Sequence, residues 1–240
     1  MSTTPSLRRD VAVTLVALAA LLAWDFSGGD LATAHWFGNL HGFALRDTWW
    51  AGTLVHDGGR LAAWVLLAAL VVAAVHAQAG ARPGAKPGAK PGVRPGAAPS
   101  RAERWHWIGV ILVCVLAVPA LKRFTATSCP WELAEFGGVA RFVSHWALGV
   151  RDGGPGHCFP SGHAVAAFAF FGLYFMWRGH DPRRARLWLA GVLGVGVLFG
   201  GAQLARGAHY PSHTLWSAWL CWVLSAVADA AFRLRQSKAP

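Results

Sequence analysis

A short polar turn, Pro160-Ser161-Gly162-His163, stands directly before a long apolar run. Ser161 is of a residue type that caps helix N-termini, and the free N–H groups of a first helical turn bind anions. Gly162 allows a ligand to approach the backbone closely, and His163 would then face that anion. The turn therefore indicates an anion site, although a plain helix start beside a bystander histidine has the same pattern.

A second group, His209 and His213, is spaced four apart and would share one face of a helical turn. This spacing suits a metal pair, but Pro211 interrupts the stretch and no glutamate completes a His-Glu-x-x-His motif. Histidines also act on phosphate esters, because one imidazole can attack phosphorus while another protonates the departing oxygen. We expect phosphate chemistry here rather than a metal centre.

Basic side chains accompany both histidine stretches. Lys122 and Arg123 follow the third apolar run, and Arg206 lies three residues before His209. Lys and Arg are common ligands for phosphate oxygens. Taken alone, Lys122 and Arg123 fit equally well as charged ends that extend from the membrane edge into water. Together with the histidines, they indicate a phosphate-binding site.

The elements that must position these residues are apolar helices. The chain of 240 residues is 55% hydrophobic and 14% charged. It contains six apolar runs, each long enough to cross about 30 Å of hydrocarbon as a helix. The alternation typical of membrane barrel strands is absent. The sequence predicts an all-α polytopic membrane protein with helices at 8–26, 59–78, 105–122, 161–178, 187–205 and 213–232.

The first run also has features of a secretory signal peptide. Arg8 and Arg9 precede an apolar stretch, and small residues at 32–34 offer a cleavage site. That site lies far beyond the end of the apolar stretch, so we expect the first helix to be retained.

The charge distribution predicts how the helices are oriented. The chain has a net charge of +11. If the N-terminus is cytoplasmic, the inner segments hold 15 of the 22 Lys and Arg residues, as the positive-inside rule requires. We therefore expect both termini inside and no nucleic-acid partner. This topology brings three polar stretches, around 122–138, 157–163 and 203–216, to the same outer side.

A repetitive basic segment divides the chain. Residues 81–100 repeat a basic-Pro-Gly unit, which forms neither helix nor sheet because Pro lacks a donor and Gly adds chain entropy. We expect a disordered cytoplasmic linker over 80–104. It separates an N-terminal helix pair with an outer loop (1–79) from a four-helix membrane core (105–240) that carries the polar stretches.

The three stretches resemble the motifs of the type 2 phosphatidic acid phosphatase superfamily, which also includes vanadium haloperoxidases. Its motifs are Lys-x6-Arg-Pro, Pro-Ser-Gly-His and Ser-Arg-x5-His-x3-Asp, and the resemblance covers residues 115–225. The middle motif matches fully. Lys122, Pro130 and His209 match the other two. Three positions depart from the family pattern: Cys129 and Gln203 stand where Arg is expected, and His213 stands where Asp is expected.

The resemblance implies a helical-bundle phosphatase core from the last four helices, with a role for each matching residue. His209 would form a phosphohistidine, and His163 would be the general acid. Lys122, Ser161, Gly162 and Gln203 would bind phosphate oxygens, with no metal and no cofactor. Arg206, one turn from Gln203, would replace one missing arginine; the candidates for the other are Arg123, Arg141 and Arg151. His213 would accept the hydrogen bond that orients His209, and Asp152 could supply the missing charge.

The four cysteines fall into two classes. Cys114 and Cys221 lie inside predicted helices and are expected to pack there. Cys129 and Cys158 both fall on the outer side, where a bacterial periplasm permits disulfides. Under the resemblance, a bridge between them would hold Lys122 near Ser161; free thiols are the alternative that the sequence leaves open.

The resemblance implies a metal-independent lipid phosphatase of the bacterial inner membrane, with its site facing the periplasm. Its partners would be membrane lipids and a lipid phosphate or diphosphate substrate. Two alternatives use the same residues. One is a lipid-to-lipid phosphotransferase, and the other is a catalytically degenerate protein that binds lipid phosphates. The sequence does not indicate the substrate lipid or the oligomeric state.

Overall fold

The structure, a computed structural model, describes residues 4–77 and 96–238. It is mostly helical, as predicted. The helices are α1 (Thr4–Asp25), α2 (Gly29–Ala34), α3 (Gly59–Val75), α4 (Arg101–Lys122), α5 (Val165–Phe168), α6 (Phe171–Trp177), α7 (Pro182–Ala205) and α8 (Pro211–Lys238). The strands β1 (Gly38–Asn39) and β2 (Gly42–Phe43) pair as a short antiparallel hairpin in the loop after α2.

Four helical stretches of the described residues are long and apolar enough to cross a membrane: Trp50–Val75, Arg101–Lys122, Pro182–Ala205 and Pro211–Ser237. The stretch Val165–Trp177 is apolar but shorter. α1 has 22 residues and carries charged residues near both ends. Helix is thus found at all six predicted runs, while the count of six spans and their orientation remain predictions.

The predicted starts of the second and third helices were wrong. The second helical stretch begins at Trp50, because the π-helical segment Trp50–Gly58 continues directly into α3. α4 begins at Arg101 rather than at 105, because Ser100 and Glu103 form a capping box that starts the helix early. Residues 101–104, which the expected linker over 80–104 included, belong to α4 instead. Residues 80–95 of that linker lie outside the described part of the chain.

The fourth apolar run is the centre of the bundle. Nearly all residues of α5 and α6 are buried, as expected of a helix that is apolar on every side. It is not one helix over 161–178. It begins at Val165 and is interrupted at Ala169 and Phe170, where backbone bonds from Phe170 to Ala167 and from Leu173 to Phe170 tighten the turn. Cys114 and Cys221 are buried within the bundle, as predicted.

Ionic contacts tie the helix ends together at one end of the bundle. Arg178, after α6, contacts Asp10 of α1 at 2.6 Å and Asp229 of α8 at 2.5 Å. His180 contacts Glu103 of α4 at 3.1 Å. The sequence places all these residues on the inner side. The polar stretches with the histidines lie together at the other end of the bundle.

The N-terminal elements pack directly on the last helix. The indole N–H groups of Trp219 and Trp222 donate to the backbone oxygen and the hydroxyl of Thr14, each at 3.1 Å. Asp30 lies at the start of α8, where it accepts from the amide of Ser212 at 3.0 Å and from its hydroxyl. Burial raises the pKa of the Asp30 carboxyl. The N-terminal pair thus helps to fix α8, which carries His213.

Candidate active site

Backbone and covalent contacts bring the three polar stretches together. The amide of Cys158 donates to the carbonyl of Thr127 at 2.8 Å, and a disulfide joins Cys158 to Cys129. The amide of Trp131 donates to the carbonyl of Gly207 at 2.9 Å. The amide of Ser161 donates to the carbonyl of His213 at 3.0 Å. Each stretch is therefore attached to the other two.

A cavity of about 570 Å³ lies where these stretches meet. Six of the eight predicted catalytic and phosphate-binding residues line it: Lys122, Gly162, His163, Gln203, Arg206 and His209. Ser161 and His213 are instead buried. The hydroxyl of Ser161 lies 3.4 Å from the amide of Ala164, as expected of a helix cap, and its carbonyl accepts from the hydroxyl of Ser217 of α8 at 2.8 Å.

His209 is presented by the turn that ends α7. Gly207 adopts a φ of +72°, and a Cβ there would lie 2.3 Å from the ring of Phe43, so both the backbone and the space require glycine. The carbonyl of Gln203 accepts from the amides of Ala208 at 2.8 Å and His209 at 3.3 Å. This turn fixes the backbone of His209 at the cavity wall.

The two ring nitrogens of His209 have different surroundings. Nδ1 lies 3.4 Å from Nδ1 of His213 and 3.4 Å from the disulfide sulfur of Cys158. If Nδ1 of His209 carries the hydrogen, His213 accepts it and Nε2 keeps a free electron pair. Burial, with a smaller contribution from the Lys122 charge, lowers the pKa of His209 to about 3. The imidazole is therefore neutral near pH 7, the form that attacks phosphorus.

His163 is buried between two rings. Its ring centroid lies 4.5 Å from that of His56 and 4.7 Å from that of Phe199. Among the described residues, neither nitrogen of His163 has a hydrogen-bond partner. Burial, followed by the nearby His56, Arg60 and Arg206, lowers its pKa to about 3. A buried imidazole without a partner in a cavity wall is available to a bound ligand.

One of the four proposed substitutes for the missing motif arginines lines the cavity. Arg206 lines it, as predicted, and donates from Nε to the carbonyl of Arg46 at 2.9 Å. Nε2 of Gln203 is buried without a partner in the described chain, so this amide offers a neutral donor where the family has Arg. The three other proposed substitutes, Arg123, Arg141 and Arg151, are exposed and do not line the cavity.

Two cavity residues, His56 and Arg60, were missed by the sequence analysis. Both come from the stretch HDGGR, residues 56–60, at the outer end of the second apolar run. The predicted topology already put that end on the same side as the motifs. The N-terminal helix pair thus contributes to the site, contrary to the expectation that the last four helices hold all its polar groups.

Asp152 does not have the expected role. Its carboxylate accepts from the amide of Ser128 at 2.5 Å, from the hydroxyl of Ser128 at 2.9 Å and from the amide of Gly154 at 2.9 Å. These bonds hold the outer loops together. His213 is instead surrounded by rings of Phe159, Tyr210 and His145. Its neighbours are therefore mainly aromatic.

Below its charged mouth, the cavity has an apolar wall between the helices. The wall is formed by residues of α3, α4 and α5 together with Phe170, which follows α5: Ala63, Trp64, Leu67, Ile111, Val115, Pro119, Val165, Ala166 and Phe170. None of the described residues that line the cavity, at its charged or its apolar part, carries a carboxylate. The space therefore suits a ligand with an anionic head and an apolar body.

Comparison with known families gives one result. The model of the PAP2 superfamily matches residues 104–236, more than half of the chain. No curated protein and no solved structure matches the chain.

Proposed function

The chain belongs to the PAP2 superfamily, which includes lipid phosphatases, and we propose that it hydrolyses the phosphate ester of a membrane lipid. The observation that carries the proposal is the shape of the cavity. Lys122, Arg60 and Arg206 line it at the ends of α4, α3 and α7, while its apolar residues lie up to about three turns further along helices long enough to span a membrane. A soluble phosphate ester would use the charged mouth only, whereas a lipid phosphate uses both parts.

The proposed mechanism has two steps. Nε2 of His209 attacks phosphorus, and the bond from phosphorus to the lipid oxygen breaks as that oxygen receives a proton from a protonated imidazole, the role that the family motif gives to His163. Water then attacks phosphorus, the bond from phosphorus to Nε2 of His209 breaks, a proton of the water goes to the imidazole that gave one up in the first step, and inorganic phosphate is released. Lys122, Arg206 and the free amide of Gln203 hold the phosphate oxygens, and charge-assisted bonds to them strengthen as negative charge develops.

We propose that this site faces the periplasm of a bacterial inner membrane. The disulfide between Cys129 and Cys158 supports an oxidising compartment. The excess of Lys and Arg on the predicted inner segments supports the same orientation. The phosphate would thus be removed on the outer surface of the membrane.

Comparing a substrate with an alkyl chain and one without tests whether the substrate is a lipid. Phosphate release would be measured with dodecyl phosphate in detergent micelles and with glycerol 3-phosphate in water. The variant Ala63→Trp places a large side chain in the space that the dodecyl group would occupy. It should lower kcat/KM for dodecyl phosphate by about tenfold or more and leave kcat/KM for glycerol 3-phosphate unchanged. Val197→Trp, at an exposed position of α7, is the control. Equal loss with both substrates would contradict a chain-binding wall.

A further inference from the structure

His56 and Asp57 form an imidazole–carboxylate pair at the cavity, outside the region that the family model matches. Nδ1 of His56 lies 2.8 Å from Oδ1 of Asp57. An ionised carboxylate only accepts hydrogen bonds, so Nδ1 carries the hydrogen. Nε2 is then the nitrogen left for the cavity that the ring lines. Carboxylates orient catalytic histidines in this way.

The local fold holds this pair against His163. His56 belongs to the π-helical segment Trp50–Gly58, which enters α3 at Gly59. A Cβ at Gly59 would lie 2.4 Å from the ring of Phe199, so glycine allows this end of α3 to rest directly on α7. As a result, the rings of His56 and His163 stack with an interplanar angle of 23°.

The stacking of His56 on His163 limits which of the two rings can carry a positive charge. Two positively charged imidazolium rings, stacked with 4.5 Å between their centroids, would repel each other. We therefore expect at most one of the two rings to be positively charged at a time. Arg60 and Arg206 add to this repulsion at His163, whose nitrogens have no partner in the described chain. The carboxylate of Asp57, 2.8 Å from Nδ1 of His56, would offset a positive charge on the His56 ring. Stacked rings do not point their nitrogens at each other, so His56 does not pass the proton to His163 through a hydrogen bond.

We propose that His56, oriented by Asp57, is a further catalytic residue that supplies the proton to the leaving oxygen in place of His163, which stays neutral and lies beside it. The inference rests on the proposed phosphatase function. In the first step, the bond from Nε2 of His209 to phosphorus forms, the bond from phosphorus to the leaving oxygen breaks, and that oxygen takes the hydrogen from Nε2 of His56. In the second step, the oxygen of water forms a bond to phosphorus, the bond from phosphorus to Nε2 of His209 breaks, and neutral His56 takes a proton from that water.

Leaving-group dependence tests this role with the full-length protein. Phenyl phosphate and 4-nitrophenyl phosphate have similar shapes, but nitrophenolate leaves readily without a proton. For His56→Gln we expect kcat/KM to fall about 30-fold or more with phenyl phosphate and less than about threefold with 4-nitrophenyl phosphate. Asp57→Asn should change the ratio of the two rates in the same direction. Asp57 is exposed, so this variant keeps the test available if His56→Gln does not fold.

The chain offers a matched control at the same end of the bundle. His35 and Glu135 form an exposed imidazole–carboxylate pair at 3.0 Å that does not line the cavity. His35→Gln should leave both rates unchanged. Equal losses with both esters in the His56 and Asp57 variants, or no loss in either, would overturn the proposal. If the unaltered protein hydrolysed neither ester and no lipid phosphate, the phosphatase function itself would be contradicted.

Discussion

Nδ1 of His209 lies 3.4 Å from Nδ1 of His213, a position at which the family motif has a carboxylate. Both rings are buried, and the Cys158 sulfur lies on the same side of His209. One of the two facing nitrogens must carry a hydrogen and the other must accept it. A neutral imidazole can accept, but it stabilises a developing positive charge on His209 less than a carboxylate would.

We predict that His213→Asp retains or raises the phosphatase activity, because the carboxylate accepts the same hydrogen and adds electrostatic support. His213→Ala should lower kcat by about 10- to 100-fold, since it leaves Nδ1 of His209 without its acceptor. The rates would be measured with one lipid phosphate under identical conditions. Complete loss in His213→Asp, with the protein still folded, would contradict the proposed alignment of residue 213.

Arg60 is the cavity cation that no family motif includes. We predict that Arg60→Ala and Arg206→Ala each lower kcat/KM by about 10- to 100-fold, because each removes a charge-assisted contact to phosphate. Arg123→Ala removes an equal charge from an exposed position outside the cavity and should change kcat/KM less than about twofold. Similar losses in all three variants would show a general effect of surface charge instead.

The disulfide joins Cys129 and Cys158, which are 29 residues apart and belong to the first two polar stretches. We predict that the double variant Cys129→Ser, Cys158→Ser has a free energy of unfolding lower by about 2–4 kcal/mol, measured by thermal melting in detergent. Cys114→Ser, Cys221→Ser provides the comparison for buried cysteines without a bridge.

Thiol labelling tests the bridge itself. Protein from an oxidising compartment, denatured without reductant, should label at Cys114 and Cys221, and reduction should expose the other pair. Labelling of all four cysteines before reduction would contradict the bridge.

Two buried neutral histidines predict acid sensitivity. Burial lowers the pKa values of His163 and His209 to about 3, while the unfolded chain has the usual value near 6.5. Between these values the unfolded state binds protons that the folded state does not. The free energy of unfolding therefore falls as the pH decreases from 6.5 toward 3, by up to about 1.4 kcal/mol per pH unit for each histidine.

His163→Phe should reduce this sensitivity, because one titrating group is removed while a ring remains between His56 and Phe199. Melting temperatures between pH 7 and 4 would be compared with those of His41→Phe, a variant at an exposed position. An unchanged pH slope in His163→Phe would show that His163 is already protonated in the folded protein.

The sequence predicted the helical class and six of the eight motif-derived residues at the cavity, because apolar length and motif spacing are local properties. It did not reveal His56 and Arg60, since their approach depends on how α3 packs on α7 through Gly59 and Phe199. It assigned Asp152 by proximity along the chain, but Ser128 and Gly154 supply nearer donors. Burial of single side chains was also not predicted: Ser161 is fully buried, its hydroxyl accepts from the amide of Ala164, and it does not line the cavity.

Phosphate release from a long-chain lipid phosphate by the purified protein, measured beside His209→Ala without added metal, tests the central claim most directly. We expect release by the unaltered protein and a loss of at least about 1,000-fold in the variant, because no other group would replace the nucleophile. Equal release by both proteins would contradict His209 as nucleophile. Absence of release from a panel of lipid phosphates, by folded protein that still binds them, would contradict the phosphatase and favour a lipid-phosphate binder.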